Sequence, residues 1–246
     1  MDINIIEKYN SIFEVFESEV NYGFNNICLH YAISVLTTNR VAPLKTTSKF
    51  WNYTQYNLVI VAILTLGRIF DISSDAKYSI HKLFDTLRNN LSILSLTELK
   101  KRRENVNVDF DKYIQDKVDF DGKMYGDLAK IKKSLQKQYM KPYQKYRNSI
   151  IGHRLVKNSI EIDADNDFNY IDILNIYISL YNLYRELEER YHNGRGAKKL
   201  TFEELTSQIY SLEKLENRTP SYLYMARDYL KLYYLLKEHG SKTNFA

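Results

Sequence analysis

Apolar residues recur at spacings of three and four through most of the chain, the period of one helix face. Ile5, Tyr9, Ile12, Phe13, Phe16 and Val20 open the pattern. Phe24, Ile27, Cys28, Tyr31 and Val35 carry it past Gly23. This predicts one long amphipathic helix, or two in line, ending within Thr37 to Pro43. A second helix is expected from near Ser48 to Phe70. Its middle, LVIVAILTL, is apolar on all sides. That suits the central helix of a bundle, and about twenty unbroken residues favour helix over a buried strand.

A third helix is expected over about 76–90, capped by Ser74 or Asp75, with Ile80, Phe84 and Leu87 on one face. Ser95-x-x-Glu98 reads as a capping box for a short basic helix ending near Glu104. Residues 105–121 are polar and irregular and read as a loop. A long helix follows over about 124–155, with a break near Lys141 because Pro142 sits inside it. Residues 170–192 carry a further stripe of Tyr170, Ile173, Leu174, Tyr177, Tyr181, Tyr184 and Leu187. The NGRG run at 193–196 stops it. Thr201-x-x-Glu204 is a capping box, and Thr219-Pro220 and Gly240 bound a last helix. The expected architecture is all-α: a helical bundle over 1–194 and a C-terminal helical hairpin over 195–246. The hairpin would pack on the bundle or form a small appendage.

Composition agrees with long elements. The 246 residues include only 8 Gly and 3 Pro, too few turn-formers for a many-stranded sandwich or barrel. The single cysteine, Cys28, excludes an internal disulfide and a thiolate-cluster metal site, and suits a reducing cytoplasm. The run MDINIIEKYN has no signal core, and Leu58–Leu66 is far shorter than the ~20 residues of a membrane span. No membrane partner is expected. The run at 163–168, DADNDF, has the acid spacing of a calcium loop. Phe168 replaces its glycine and Leu174 its glutamate, so it reads as a solvated loop. No metal and no cofactor are expected.

Net charge is a modest +5, but its distribution is uneven. From Leu128 to Lys157 there are nine Lys or Arg and no Asp or Glu, with Tyr139, Tyr143 and Tyr146 interleaved. Such a field attracts phosphates, and rings beside it can stack on unpaired bases. Four of the five histidines read as structural: His30 and His81 inside amphipathic helices, His192 and His239 at helix C-termini.

His153 stands apart. It closes the string Arg147-Asn148-Ser149-Ile150-Ile151-Gly152-His153 at the end of the basic segment. This Arg-Asn-x4-His arrangement resembles the signature of the HEPN superfamily. LTLGRIFDISSDAKYSIHKLF at 64–84 and FNYIDILNIYISLYNLY at 168–184 are similar in kind and order to the abortive-infection AbiU-like branch. The resemblance spans roughly 5–192. It implies an all-α bundle, a homodimer that faces two motifs across one groove, and metal-independent cleavage of RNA. Arg147, Asn148 and His153 would then be catalytic, with Lys141, Lys145, Tyr146 and Arg154 holding flanking RNA. A non-catalytic RNA- or nucleotide-binding module and a helical interaction scaffold are the alternative readings.

Six residues turn an ideal helix by ~600°, so Arg147 and His153 would stand ~120° apart on one helix. Bringing them together needs a distortion or a second copy of the chain. Arg68 and Asp71 end the central helix; an Arg68–Asp71 pair, or Asp71 turned toward Arg147, would act as a positioning shell. In relatives regulated by a nucleotidyltransferase a Tyr follows the His by two positions. Here Leu155 stands there, so the resemblance does not supply that regulation, and an antitoxin protein of another kind is the alternative.

Overall fold

The computed structural model describes residues 3–37, 48–104, 109–140, 142–152, 169–212 and 219–240. Its elements in chain order are α1 (Ile3–Thr37), α2 (Ser48–Ile69), α3 (Ile80–Asn89), α4 (Leu96–Arg102), α5 (Phe110–Ile114), α6 (Gly122–Met140), α7 (Tyr143–Gly152), α8 (Tyr170–Asn193), α9 (Phe202–Tyr210) and α10 (Tyr224–Gly240). Short 3₁₀ turns precede α4 and α10. No strand occurs among the described residues.

The N-terminal stripe forms one helix and not two. α1 runs 35 residues, about 52 Å at helical rise. Gly23 does not break it. The glycine is there for packing: a Cβ at this position would overlap the Tyr177 ring and hydroxyl. Through this notch the Tyr177 hydroxyl, fully buried, donates to the carbonyl oxygen of Ala62 at 2.7 Å. One side chain of α8 thereby crosses α1 and anchors on α2. Phe24 stacks beside it, its ring centroid 6.3 Å from that of Tyr177 and 5.0 Å from that of Tyr222.

These three helices enclose the core. Tyr9, Phe16, Val20 and Ile27 from α1, Ile63 and Leu66 from α2, and Leu174, Leu180 and Leu187 from α8 are fully or nearly fully buried. α3 adds Ile80, Leu83, Phe84 and Leu87. It starts later than its pattern suggests. Ser79 is the N-terminal boundary residue, not Ser74 or Asp75, and its buried hydroxyl makes no cap bond.

Ser95 caps α4 by accepting from the Glu98 amide, but the reciprocal half of the box is absent because Glu98 binds Lys101 instead. The basic residues of this helix have a structural use. Arg102 donates to the carbonyls of Ile93 and Tyr191, and Arg103 to that of His192. They neutralise the partly negative C-terminal end of α8. The expected loop over 105–121 contains the short helix α5, capped by Asp109. α8 ends at Gly194, the one glycine with positive φ, 65°, among the described residues.

Beyond α8, Thr201 and Glu204 form the complete capping box of α9. Leu205, Ile209, Tyr222, Leu223 and Ala226 join the same hydrophobic cluster as α1 and α8. A smaller cluster seats Tyr229 and Tyr233 of α10 against Trp51 of α2. The C-terminal helices are thus layered on the bundle. Residues 213–218, between α9 and α10, lie outside the described residues.

Two outcomes are expected. Gly23→Ala should destabilise the protein by about 2–3 kcal/mol, the overpacking range, read from urea unfolding. Tyr177→Phe should cost about 1 kcal/mol for the lost hydrogen bond. Second, burial pushes His30, packed 4.8 Å from the Tyr170 ring, down to about 4. Its neutral form is favoured on folding, so this stability is present above about pH 6.5 and lost as pH falls toward 4. His30→Leu should flatten the acid limb of Tm against pH by on the order of 2 kcal/mol.

Candidate active site around Arg147

The basic segment divides where Pro142 interrupts it, between α6 and α7. Tyr139 lies before the break and Arg147 after it. On one straight helix their Cα atoms would be ~12 Å apart along the axis. Here both side chains converge on Gly67 of α2. A Cβ on Gly67 would lie 2.5 Å from Arg147 Nη1, 2.7 Å from its Cδ and 3.1 Å from the Tyr139 hydroxyl. The missing side chain is therefore the seat of the Arg147 guanidinium. Phe70 stacks on Tyr139 at 5.5 Å and fixes that ring.

Arg147 is half-buried and its Nε donates to Asn148 Oδ1 at 3.2 Å. Among the described residues it makes no ion pair within 4 Å. Asp71 supplies opposite charge within electrostatic range. Its carboxyl is held below the usual range first by the Ser73 amide, then by the charges of Arg147 and His81. Tyr139 is nearly fully buried, and burial pushes its hydroxyl up, with the Arg147 charge opposing. His81 is pushed down by burial and by Lys132, with Asp85 and Asp71 opposing. Its Nε2 is buried with no hydrogen-bond partner among the described residues. The result is a half-buried cation with a neutral phenol beneath it and a carboxylate beside it but not paired.

The structure separates the two expected positioning residues. Arg68 does not pair with Asp71. Its guanidinium forks onto Glu19 of α1, with Nε–Oε1 at 2.9 Å and Nη2–Oε2 at 2.7 Å. The two helices run antiparallel, and this pairing across 49 positions outcompetes a neighbour whose carboxylate is already bound to the Ser73 amide at 2.9 Å. Asp71 remains within electrostatic range of Arg147. Asn148 and Lys145 are solvent-exposed on α7. Lys141, His153 and Arg154 lie outside the described residues, as does the Tyr146 side chain. Gly67, Tyr139 and His81 were not in the predicted set. A glycine inside an otherwise apolar helix was the signal for the first.

Among the described residues no group of three or more His, Cys, Asp or Glu could hold a metal ion. No described helix is long and apolar enough to cross a membrane. The nucleus of the site is thus an arginine–amide pair on a short basic helix. Its chemistry is anion recognition: Arg presents a planar fork that matches phosphate.

The all-α bundle agrees with the HEPN-type resemblance that the Arg147-Asn148 sequence carries. The chain belongs to the HEPN AbiU2 family, whose pattern it matches over residues 6–211. The match extends past the expected limit near 192 and takes in α9. No curated protein and no solved structure gave a significant match.

Gly67→Ala should displace Arg147 and destabilise the protein by about 1–3 kcal/mol. Gly126 of α6 is the control: a Cβ there meets nothing within 4 Å. Gly126→Ala should instead stabilise by about 0.5–1 kcal/mol, since glycine is costly inside a helix. Urea unfolding of the two variants should move in opposite directions.

Proposed function

We propose that this AbiU2-family chain is a metal-independent endoribonuclease of the abortive-infection type, working as a homodimer. The observation that carries the reading is the half-buried Arg147. It is seated on Gly67, bonded to Asn148, and free of any ion pair among the described residues. A guanidinium partly withdrawn from water and not neutralised by the fold fits an external phosphate.

The sequence supplies the proton carrier, His153, six positions on. In a symmetric dimer two such histidines share one groove. One neutral imidazole takes the proton of a ribose 2′-hydroxyl as that oxygen attacks the adjacent phosphorus. The imidazolium of the second copy gives its proton to the departing 5′-oxygen. The bond from phosphorus to that oxygen breaks, leaving a 2′,3′-cyclic phosphate and a 5′-hydroxyl. Arg147 holds the non-bridging oxygens, whose charge grows in the transition state. Asn148 orients the guanidinium, and Asp71 adds a field that keeps it in place. Lys141, Lys145, Tyr146 and Arg154 would hold the flanking strand. DNA lacks the internal nucleophile and is not cut. Such an activity needs restraint in its host, and an antitoxin protein is the expected partner.

Wild type, His153→Ala and Arg147→Ala should be compared on labelled RNA in excess chelator. Wild type should leave cyclic-phosphate ends, and each variant should lose about 10²–10⁴ in rate while keeping its mass in solution. Tight, salt-sensitive RNA binding without cleavage would replace this reading with a non-catalytic RNA-binding module. A monomer with full activity would overturn the shared groove.

A further inference from the structure

Tyr139 is only 2% exposed, yet its hydroxyl has no hydrogen-bond partner among the described residues. The ring is stacked on Phe70 with an interplanar angle of 21° and belongs to the main hydrophobic cluster, so it cannot carry the hydroxyl elsewhere. An orphan hydroxyl costs stability, because its hydration is lost and nothing replaces it. Phenylalanine would fill nearly the same volume without that cost. Folding therefore does not account for the oxygen, but its position does. The hydroxyl and Arg147 Nη1 lie 3.1 Å and 2.5 Å from the one point where a Gly67 Cβ would stand. Every nitrogen of an arginine side chain is a donor. The Arg147 Nε is spent on Asn148, on the exposed side. Its two Nη nitrogens have no hydrogen-bond partner among the described residues. An unused buried acceptor thus stands beside an unused donor. The hydroxyl feels the Arg147 charge but is out of line for a hydrogen bond to it. A modest turn of the guanidinium closes that bond, and the space left by Gly67 permits the turn.

We infer that Tyr139 is the positioning residue of Arg147: its buried hydroxyl oxygen accepts from Nη1 when the guanidinium turns to hold a phosphate, and fixes the fork from behind. The inference rests on the reading of Arg147 as the group that holds phosphate. The N–H groups not taken by Tyr139 then face the phosphate oxygens. Because the Tyr139–Arg147 bond closes only with the anion in place, it strengthens the loaded state and gives nothing to the empty chain. The hydroxyl is kept at some cost to the fold, and the return is an arginine that cannot swing away from its anion.

Tyr139→Phe of the full chain tests this. Its urea midpoint should equal or exceed that of wild type, because an unpartnered hydroxyl is removed. A 2′-O-methyl RNA oligonucleotide, which lacks the attacking hydroxyl and is not cut, serves as the binding probe. Tyr139→Phe should bind it about tenfold more weakly, the worth of one charge-assisted hydrogen bond. In an Arg147→Ala background the same change should have no further effect, as expected of a residue that acts through another. Cleavage of ordinary RNA should fall by at least the same factor. A wild type that binds the probe and cuts no RNA ends the nuclease reading alone, and the binding comparison still decides the role of Tyr139. Three results would overturn that role: unchanged binding in Tyr139→Phe, a loss that persists in full in Arg147→Ala, or a lower urea midpoint. A wild type that binds no probe would overturn both.

Discussion

The fold turns on a hydroxyl that passes through a helix where a side chain is missing. Tyr177 reaches from α8 past Gly23 of α1 to the Ala62 carbonyl of α2. A buried phenol without a partner would cost about 1–3 kcal/mol, and here the Ala62 carbonyl supplies the acceptor. The carbonyl lies on a helix whose own ladder already occupies it, so the phenol takes its second lone pair. Three helices are thereby held in one register. Leucine and isoleucine packing alone would permit α1 and α2 to slide by a turn at modest cost. The hydroxyl, the notch and the carbonyl coincide in one register only.

That register also places the site. Gly67 lies five residues along α2 from Ala62, and it too is a notch filled from another helix, here by Arg147 of α7. α2 therefore receives two long polar side chains, one deep and neutral, one half-buried and charged. The order follows from dielectric. A phenol can be sealed with one hydrogen bond, whereas a guanidinium sealed without a carboxylate would be far costlier. Arg147 sits where the core thins out, beside Asp71 and over the buried Tyr139 ring.

Much of the architecture is legible along the chain because it depends on local rules. The stripe of α8, its left-handed stop at Gly194, the Thr201–Glu204 box and the break at Pro142 each depend on residues within a few positions. The departures come from contacts between distant segments. Ser74 and Asp75 are good cap types, but α3 begins only where Ile80 meets the core. α5 needs just one Asp109 cap and five residues, too little for periodicity to register. Arg68 chose Glu19 over its near neighbour because two antiparallel helices happened to align them. For the site, Arg147 and Asn148 stand out by motif and charge. Gly67 and Tyr139, which seat the arginine, become visible only once α2, α6 and α7 are packed.

The same logic sorts the lysines and arginines of the basic segment. Charge counted along the sequence treats its nine bases as one field, but the fold spends some of them. Lys130 closes on Asp127, and Lys132 lies over the Phe84 ring at 5.2 Å, its ammonium pushed down by burial. The first pair lies within α6 on its exposed face, and the second contact packs α6 on α3. Beyond the Pro142 break Lys145 is exposed and Arg147 has no ion-pair partner among the described residues. A basic run is therefore not one field: Lys130 and Lys132 have partners within the chain, whereas Lys133, Lys137 and Lys145 are exposed and make no ion pair among the described residues. The charges that the described residues leave unanswered, on both sides of the proline, are the ones open to an external anion.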